Sequence, residues 1–127
     1  MNISEVSRLA QLPTKTVRYY ADIDLVAPCG RSEAGYRTYS DTELRKLVFV
    51  RRARESGFSI EECRELLGLY EDDDRNSADV KAIASKKLKE IKAKQRELQM
   101  LHDELAHVVQ SCRGDDRPNC PIIDYLS

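Results

Sequence analysis

Apolar positions along this chain recur at helical spacing far more often than they alternate. In NISEVSRLAQL, Ile3, Val6, Leu9 and Ala10 share one face, and Asn2 followed by Glu5 has capping-box spacing. A break at Gln11-Leu12-Pro13 precedes a second helix, TKTVRYYADI, which Thr14 can cap. Val17, Tyr20 and Ala21 fall on its inner face, with Lys15, Arg18, Tyr19 and Asp22 opposite. The segment PCGRSEAGYRTYS sets Ala34-Gly35 between Arg31 and the alternating run Tyr36-Arg37-Thr38-Tyr39, which reads as a small β-hairpin with glycine at the turn. Ser40 and Asp41 then cap a third helix running through Leu44, Leu47 and Val48 to about Glu55, with Gly57 as its stop. Ser59 and Glu62 form another capping box, opening a fourth helix with the stripe Ile60, Cys63, Leu66, Leu67 and Tyr70.

Residues 71–76, EDDDRN, form a solvated acidic link. Ser77 opens the longest helix, which reaches about Gln110 without a Gly or Pro. Ala84, Ile91, Leu98 and Leu105 recur every seven residues, and Leu101 and Val108 add a second seam that Lys94 interrupts. One helix cannot bury a heptad seam, so a partner is required, most simply a second copy of the chain. A polar loop with Gly114 and Pro118 follows, closed by a short helix starting at Pro121, a favoured first helical position. The pattern implies a mostly α chain in three parts. Residues 1–70 form a winged helix-turn-helix, 77–110 a dimerisation helix, and 111–127 a loop and terminal helix.

Composition adds a charge asymmetry. The 127 residues carry a formal net charge of only -1, yet residues 1–54 hold ten Lys/Arg against six Asp/Glu and the remainder eleven against sixteen. A basic N-terminal half on an acidic remainder fits a chain that meets phosphate at one end. No apolar run is long enough to span a membrane, and MNISEVSRLAQ lacks a basic-then-apolar signal pattern, so a cytoplasmic protein is expected. In that compartment the four cysteines, Cys29, Cys63, Cys112 and Cys120, do not read as a disulfide framework.

Two constellations carry chemistry. The outward face of the second helix offers Lys15, Arg18 and Tyr19, and the hairpin adds Arg31, Tyr36, Arg37 and Tyr39. Such a helix fits the major groove of double-stranded DNA, and such a wing fits the phosphate backbone; an ordinary solvated basic face is the alternative. The second constellation is Cys112 and Cys120, with seven residues between them in one loop without histidine. Structural zinc recruits four N/S ligands, whereas two thiolates alone suit a soft monovalent ion such as Cu(I). Two thiolates and one such ion leave a charge of -1, which the helix N-terminus beginning at Cys120 can offset while lowering the thiol pKa. A reversible disulfide and two unrelated thiols remain alternatives. Cys63 reads as a buried core thiol and Cys29 as incidental. His102 and His107, five apart on the long helix, do not share a face. No nucleophile–base pair, phosphate loop or paired-carboxylate site is present, so an enzyme is not expected.

The run NISEVSRLAQLPTKTVRYYADIDLVAP, with R-S-E-A-G-Y-R-T-Y after it, resembles the N-terminal half of the MerR family, and FVRRARESGFSIEECRELL resembles its next helices. The C-x7-C loop followed by PIIDYL is similar to the copper-efflux regulators of that family. The resemblance covers nearly the whole chain. It implies a homodimer on an antiparallel coiled coil, with DNA contacts from Thr14, Lys15, Arg18, Tyr19, Arg31, Tyr36 and Arg37. It also implies Cys112 and Cys120 as ligands for Cu(I), Ag(I) or Au(I). The family's regulators sit on promoters whose spacer is too long for RNA polymerase, and effector binding distorts that DNA to activate transcription of efflux or detoxification genes. In the family, the residue opening the long helix approaches the partner's metal loop. Branches sensing divalent ions carry Cys there, so Ser77 implies monovalent selectivity, although it also suits an N-cap. Two positions depart from the family pattern: Asp24 stands where Gly is usual, and Ala34-Gly35 where Asn-Gly is commoner. Thiol-redox sensing and divalent (zinc or mercury) sensing are the competing functions.

Overall fold

A computed structural model describes all 127 residues. Six helices and one two-stranded sheet follow in order: α1 (Ile3–Ala10), α2 (Thr14–Asp22), β1 (Gly30–Arg31), β2 (Arg37–Thr38), α3 (Asp41–Glu55), α4 (Ile60–Glu71), α5 (Ser77–Ser111) and α6 (Pro121–Leu126). The mostly α, winged helix-turn-helix architecture read from the sequence is therefore present. Two compact units result, Met1–Ile83 and Ala84–Ser127. No helix is long and apolar enough to cross a membrane.

The first unit is built around α1 to α4. Its core joins Val6 and Ala10 of α1, Val17 and Tyr20 of α2, Leu47, Val50 and Ala53 of α3, and Cys63, Leu66 and Leu67 of α4. Leu25, Val26 and Tyr39 enter from the connections, and Val80 and Ile83 at the start of α5 pack against the same core. The apolar stripes on these helices supply most of that core. Leu9 departs from expectation: it is 44% exposed, and Ser7 is buried instead. Tyr70 also lies at the surface, its ring 4.8 Å from that of Phe49.

Helix ends show why the turns are tight. Ser40 with Glu43 and Ser59 with Glu62 form complete capping boxes, and Asn2 accepts from the Glu5 N–H at 2.9 Å. Thr14 does not cap α2. Pro13 occupies the N-cap position without a side-chain bond, and Thr14 is the first helical residue. At the far end of α2, Asp24 takes φ 56°, the Asp24 N–H reaches Ala21 O and the Leu25 N–H reaches Tyr20 O, a Schellman closure built on Asp. Gly57, at φ 93°, ends α3 the same way, with its N–H on Arg54 O and the Phe58 N–H on Ala53 O.

In the second unit α5 continues as a helix whose total length of 35 residues spans about 52 Å. Ile91, Leu98, Leu101 and Leu105 all lie exposed along it.

Candidate metal centre and nucleic-acid interface

The outward face of α2 carries Lys15, Arg18 and Tyr19 in solvent, with Thr14 half-buried at its start. Val17 and Tyr20 hold the helix to the core, so turning it would expose both. A second anchor comes from α4. The Arg64 guanidinium donates to Ile23 O and Asp24 O, both at 3.0 Å, and thus satisfies carbonyls at the C-terminal end of α2. No sequence pattern marks this bond, because its acceptors are backbone atoms about forty residues away.

The wing is a minimal hairpin, pairing Gly30 with Thr38 and Arg31 with Arg37. Gly35 N–H donates to Ser32 O at 2.9 Å, and Gly35 itself takes φ 85°. A turn followed by a left-handed glycine is the three-residue hairpin loop with a G1 bulge. Tyr36 stands out at the tip, 72% exposed. The Arg31 guanidinium donates to Gly35 O at 2.8 Å. Arg37 is half-buried and paired with Asp22 of α2 at 3.2 Å. A groove between the start of α1, α2 and the wing brings together Arg18, Arg31, Tyr36 and Arg37. Thus α2 and the wing present their basic groups to one side.

The metal-loop candidates also come together. Cys112 follows the last residue of α5 and Cys120 precedes α6, and their sulfurs are 3.5 Å apart. Both thiols are free; a disulfide would need about 2.05 Å. The loop between them turns through Gly114 at φ 65° and an Asp115 carboxylate that accepts the Arg117 N–H at 3.0 Å. The Tyr125 hydroxyl donates to Glu104 at 2.7 Å and ties α6 to α5. Sequence spacing does not mark that tie, although Tyr125 is the single polar-tipped aromatic in the terminal helix.

The chemistry of the donor set limits what can bind. With a metal–thiolate bond of about 2.3 Å, sulfurs in a tetrahedral site stand roughly 3.8 Å apart and those in a linear site roughly 4.6 Å. The pair fits one soft ion after opening by a fraction of an ångström to about 1 Å. No group of three or more His, Cys, Asp or Glu side chains in the chain could hold a metal ion. The amide of Ile123 and then the Cys112 thiol pull the Cys120 pKa below that of an ordinary thiol; Asp124 opposes them. Cys63 is the opposite case, fully buried with its pKa pushed up by desolvation. Cys29 is exposed beside Thr38 O. His102 Nδ1 lies 3.1 Å from the Asp103 carboxylate.

Ser77 is the first residue of α5 and is exposed. It is not the cap. Asn76 accepts the Ala78 N–H at 3.0 Å and the Asp79 N–H reaches Asn76 O, so the capping role expected of Ser77 is performed one residue earlier.

Residues 1–69 match the family model for MerR HTH family regulatory protein, and residues 44–108 match that for MerR, DNA binding. The chain is 55% identical over its full length to the HTH-type transcriptional regulator HmrR of Rhizobium leguminosarum bv. viciae, covering 98% of that protein. It is 47% identical over its full length to the HTH-type transcriptional regulator CueR of Salmonella typhi, covering 92% of it. Among solved structures it resembles the transcription regulator PbrR691 from Ralstonia metallidurans CH34 in complex with lead(II), with TM-score 0.83, 30% identity, and coverage of 100% of this chain and 99% of that one. The chain belongs to the MerR family of helix-turn-helix regulatory proteins and is a DNA-binding transcription regulator, not an enzyme.

Proposed function

We propose that the chain is a regulator that senses a monovalent soft metal, Cu(I) or its analogues Ag(I) and Au(I), and activates efflux or detoxification genes by distorting promoter DNA. The observation that carries this reading is the pair of sulfurs 3.5 Å apart with no third donor in the chain. Two thiolates satisfy a soft ion that accepts two-coordination, and leave a divalent ion short of ligands. Relatives named as CueR and as a heavy metal-dependent regulator support a metal effector. Cys112 and Cys120 are the ligands, and Ser77 withholds the extra thiolate that a divalent ion would use. A bound ion would be held by the Cys112 thiolate at the end of α5 and the Cys120 thiolate before α6, and would offset part of their negative charge.

Two copies act together. The exposed Ile91, Leu98 and Leu105 recur every seven residues along α5, with Leu101 between the last two, and a second α5 laid antiparallel covers them. Each copy brings one reading head to double-stranded promoter DNA in the cytoplasm. Arg18, with Thr14, Lys15 and Tyr19, enters the major groove, while Arg31, Tyr36 and Arg37 meet the backbone. RNA polymerase reads the distorted spacer. The functional parts follow as 1–70 for DNA, 77–110 for dimerisation and 111–127 for metal.

The test is titration of the reduced protein with Cu(I), Ag(I), Zn(II) and Hg(II) under competition, followed by transcription from a long-spacer promoter. Tight binding of one monovalent ion per loop, with transcription following occupancy, supports the reading. Induction by Zn(II) or Hg(II) alone, or by oxidant without metal, overturns it.

A further inference from the structure

The groove beside the wing contains one acid among its bases. Arg18, Arg31 and Arg37 line it, and Asp22 is the single carboxylate there. That carboxylate accepts from Arg37 Nη2 at 3.2 Å. The two side chains are 62% and 31% exposed, Asp22 the more so. Pairs this exposed add little to folding, so the contact is better judged by what it does to charge and direction.

A guanidinium carries five N–H donors in a rigid planar fork. With one donor turned to Asp22, the remaining donors of Arg37 face a restricted set of directions. The paired carboxylate also cancels one positive charge felt by a loosely placed phosphate. We propose that Asp22 is a specificity-determining residue, which withholds the Arg37 charge from arbitrary DNA and leaves it to phosphates that arrive at the free edge of the guanidinium. The idea rests on the reading that α2 and the wing face DNA. In DNA placed in the right register, Arg37 bridges Asp22 and phosphate together. On other DNA, phosphate must either displace the carboxylate or sit beside it and be repelled.

Counterion release makes this measurable, because each additional phosphate neutralised steepens the salt dependence of binding by roughly 0.9. The probes are a duplex that the parent protein selects from a random pool and a scrambled duplex of the same composition, each titrated over a range of salt. Asp22→Asn is expected to bind the scrambled duplex with a steeper salt slope, losing about three- to fourfold more affinity over a roughly fourfold rise in salt. The selected duplex gains less, so the ratio of selected to scrambled affinity falls. Asp22→Glu restores the parent behaviour. In an Arg37→Ala background, Asp22→Asn changes neither slope nor ratio. An Asp22→Asn effect that persists without Arg37 is a general field effect and overturns the proposal, as does an unchanged ratio with Arg37 present. If Arg37→Ala alone leaves both duplexes bound as before, the wing does not face DNA and the underlying interface reading fails first.

Discussion

The Tyr125 hydroxyl donates to the Glu104 carboxylate at 2.7 Å, tying the terminal helix to the end of α5. Cys120 is the residue immediately before that helix, so the bond helps set where its sulfur lies relative to Cys112. Tyr125→Phe removes only the oxygen. Metal affinity is expected to fall severalfold and the amides of residues 121–126 to exchange faster, while DNA affinity stays at the parent value. Competition titration with hydrogen exchange checks this, and an unchanged metal affinity removes the tie from the account.

Thiol reactivity should follow the opposite pKa displacements of two cysteines. The Ile123 amide and the Cys112 thiol hold the Cys120 pKa low, whereas burial raises that of Cys63. Only the thiolate reacts or ligates, so a lowered pKa keeps Cys120 competent to a lower pH. Alkylation of the metal-free protein near neutral pH, followed by mass mapping, should modify Cys120 well before Cys63. As pH falls through the Cys120 pKa, metal affinity should decline with the proton uptake. Faster labelling of Cys63 would contradict this.

Asp24 offers a stability test. It sits at φ 56°, where a Cβ is costly and Asp is tolerated better than most side chains. Asp24→Gly should raise stability by up to about 1 kcal/mol, and Asp24→Ala should lower it by about 1 kcal/mol. Urea unfolding reads both as shifts in midpoint at unchanged slope. Arg64 binds only the backbone oxygen of Asp24, so neither variant removes that contact.

The parts legible in the sequence were those governed by local pattern. Stripes at helical spacing located α1 to α4, and Ser40, Ser59 and Gly57 marked helix ends because capping acts over a few residues. The cysteine pair was legible because a short Gly-containing loop leaves two flanking thiols few ways to stay apart. Neighbouring capping groups were harder to separate. Thr14 and Ser77 both had the right chemistry to cap, but Pro13 and Asn76 hold the cap positions. Long-range polar contacts gave no periodic signal. Arg64 on the end of α2, Asp22 on Arg37 and Tyr125 on Glu104 each depend on tertiary placement. Leu9 shows the limit of a stripe, since it lies at the margin of the apolar face and remains exposed.

Leu98 is 65% exposed on the lone chain and stands in the proposed seam. Leu98→Lys should raise the dimer dissociation constant by tenfold or more, on the order of 1.4 kcal/mol, because a charge in a seam must be desolvated. Sedimentation over a concentration series checks this. A parent protein that stays a folded monomer at micromolar concentration would remove the coiled-coil argument.

The most direct test of the metal-sensing account is transcription from a long-spacer promoter with the parent protein, Cys112→Ser and Cys120→Ser, with and without a chelator specific for monovalent copper. The account predicts that Cu(I) induces transcription with the parent protein, that the chelator reverses it, and that either serine variant binds the promoter normally yet fails to respond. A serine hydroxyl is too hard and too weakly acidic to replace a thiolate toward a soft ion. Induction that survives the chelator, or that oxidant produces without metal, would contradict the account and make the 3.5 Å sulfur pair a disulfide switch.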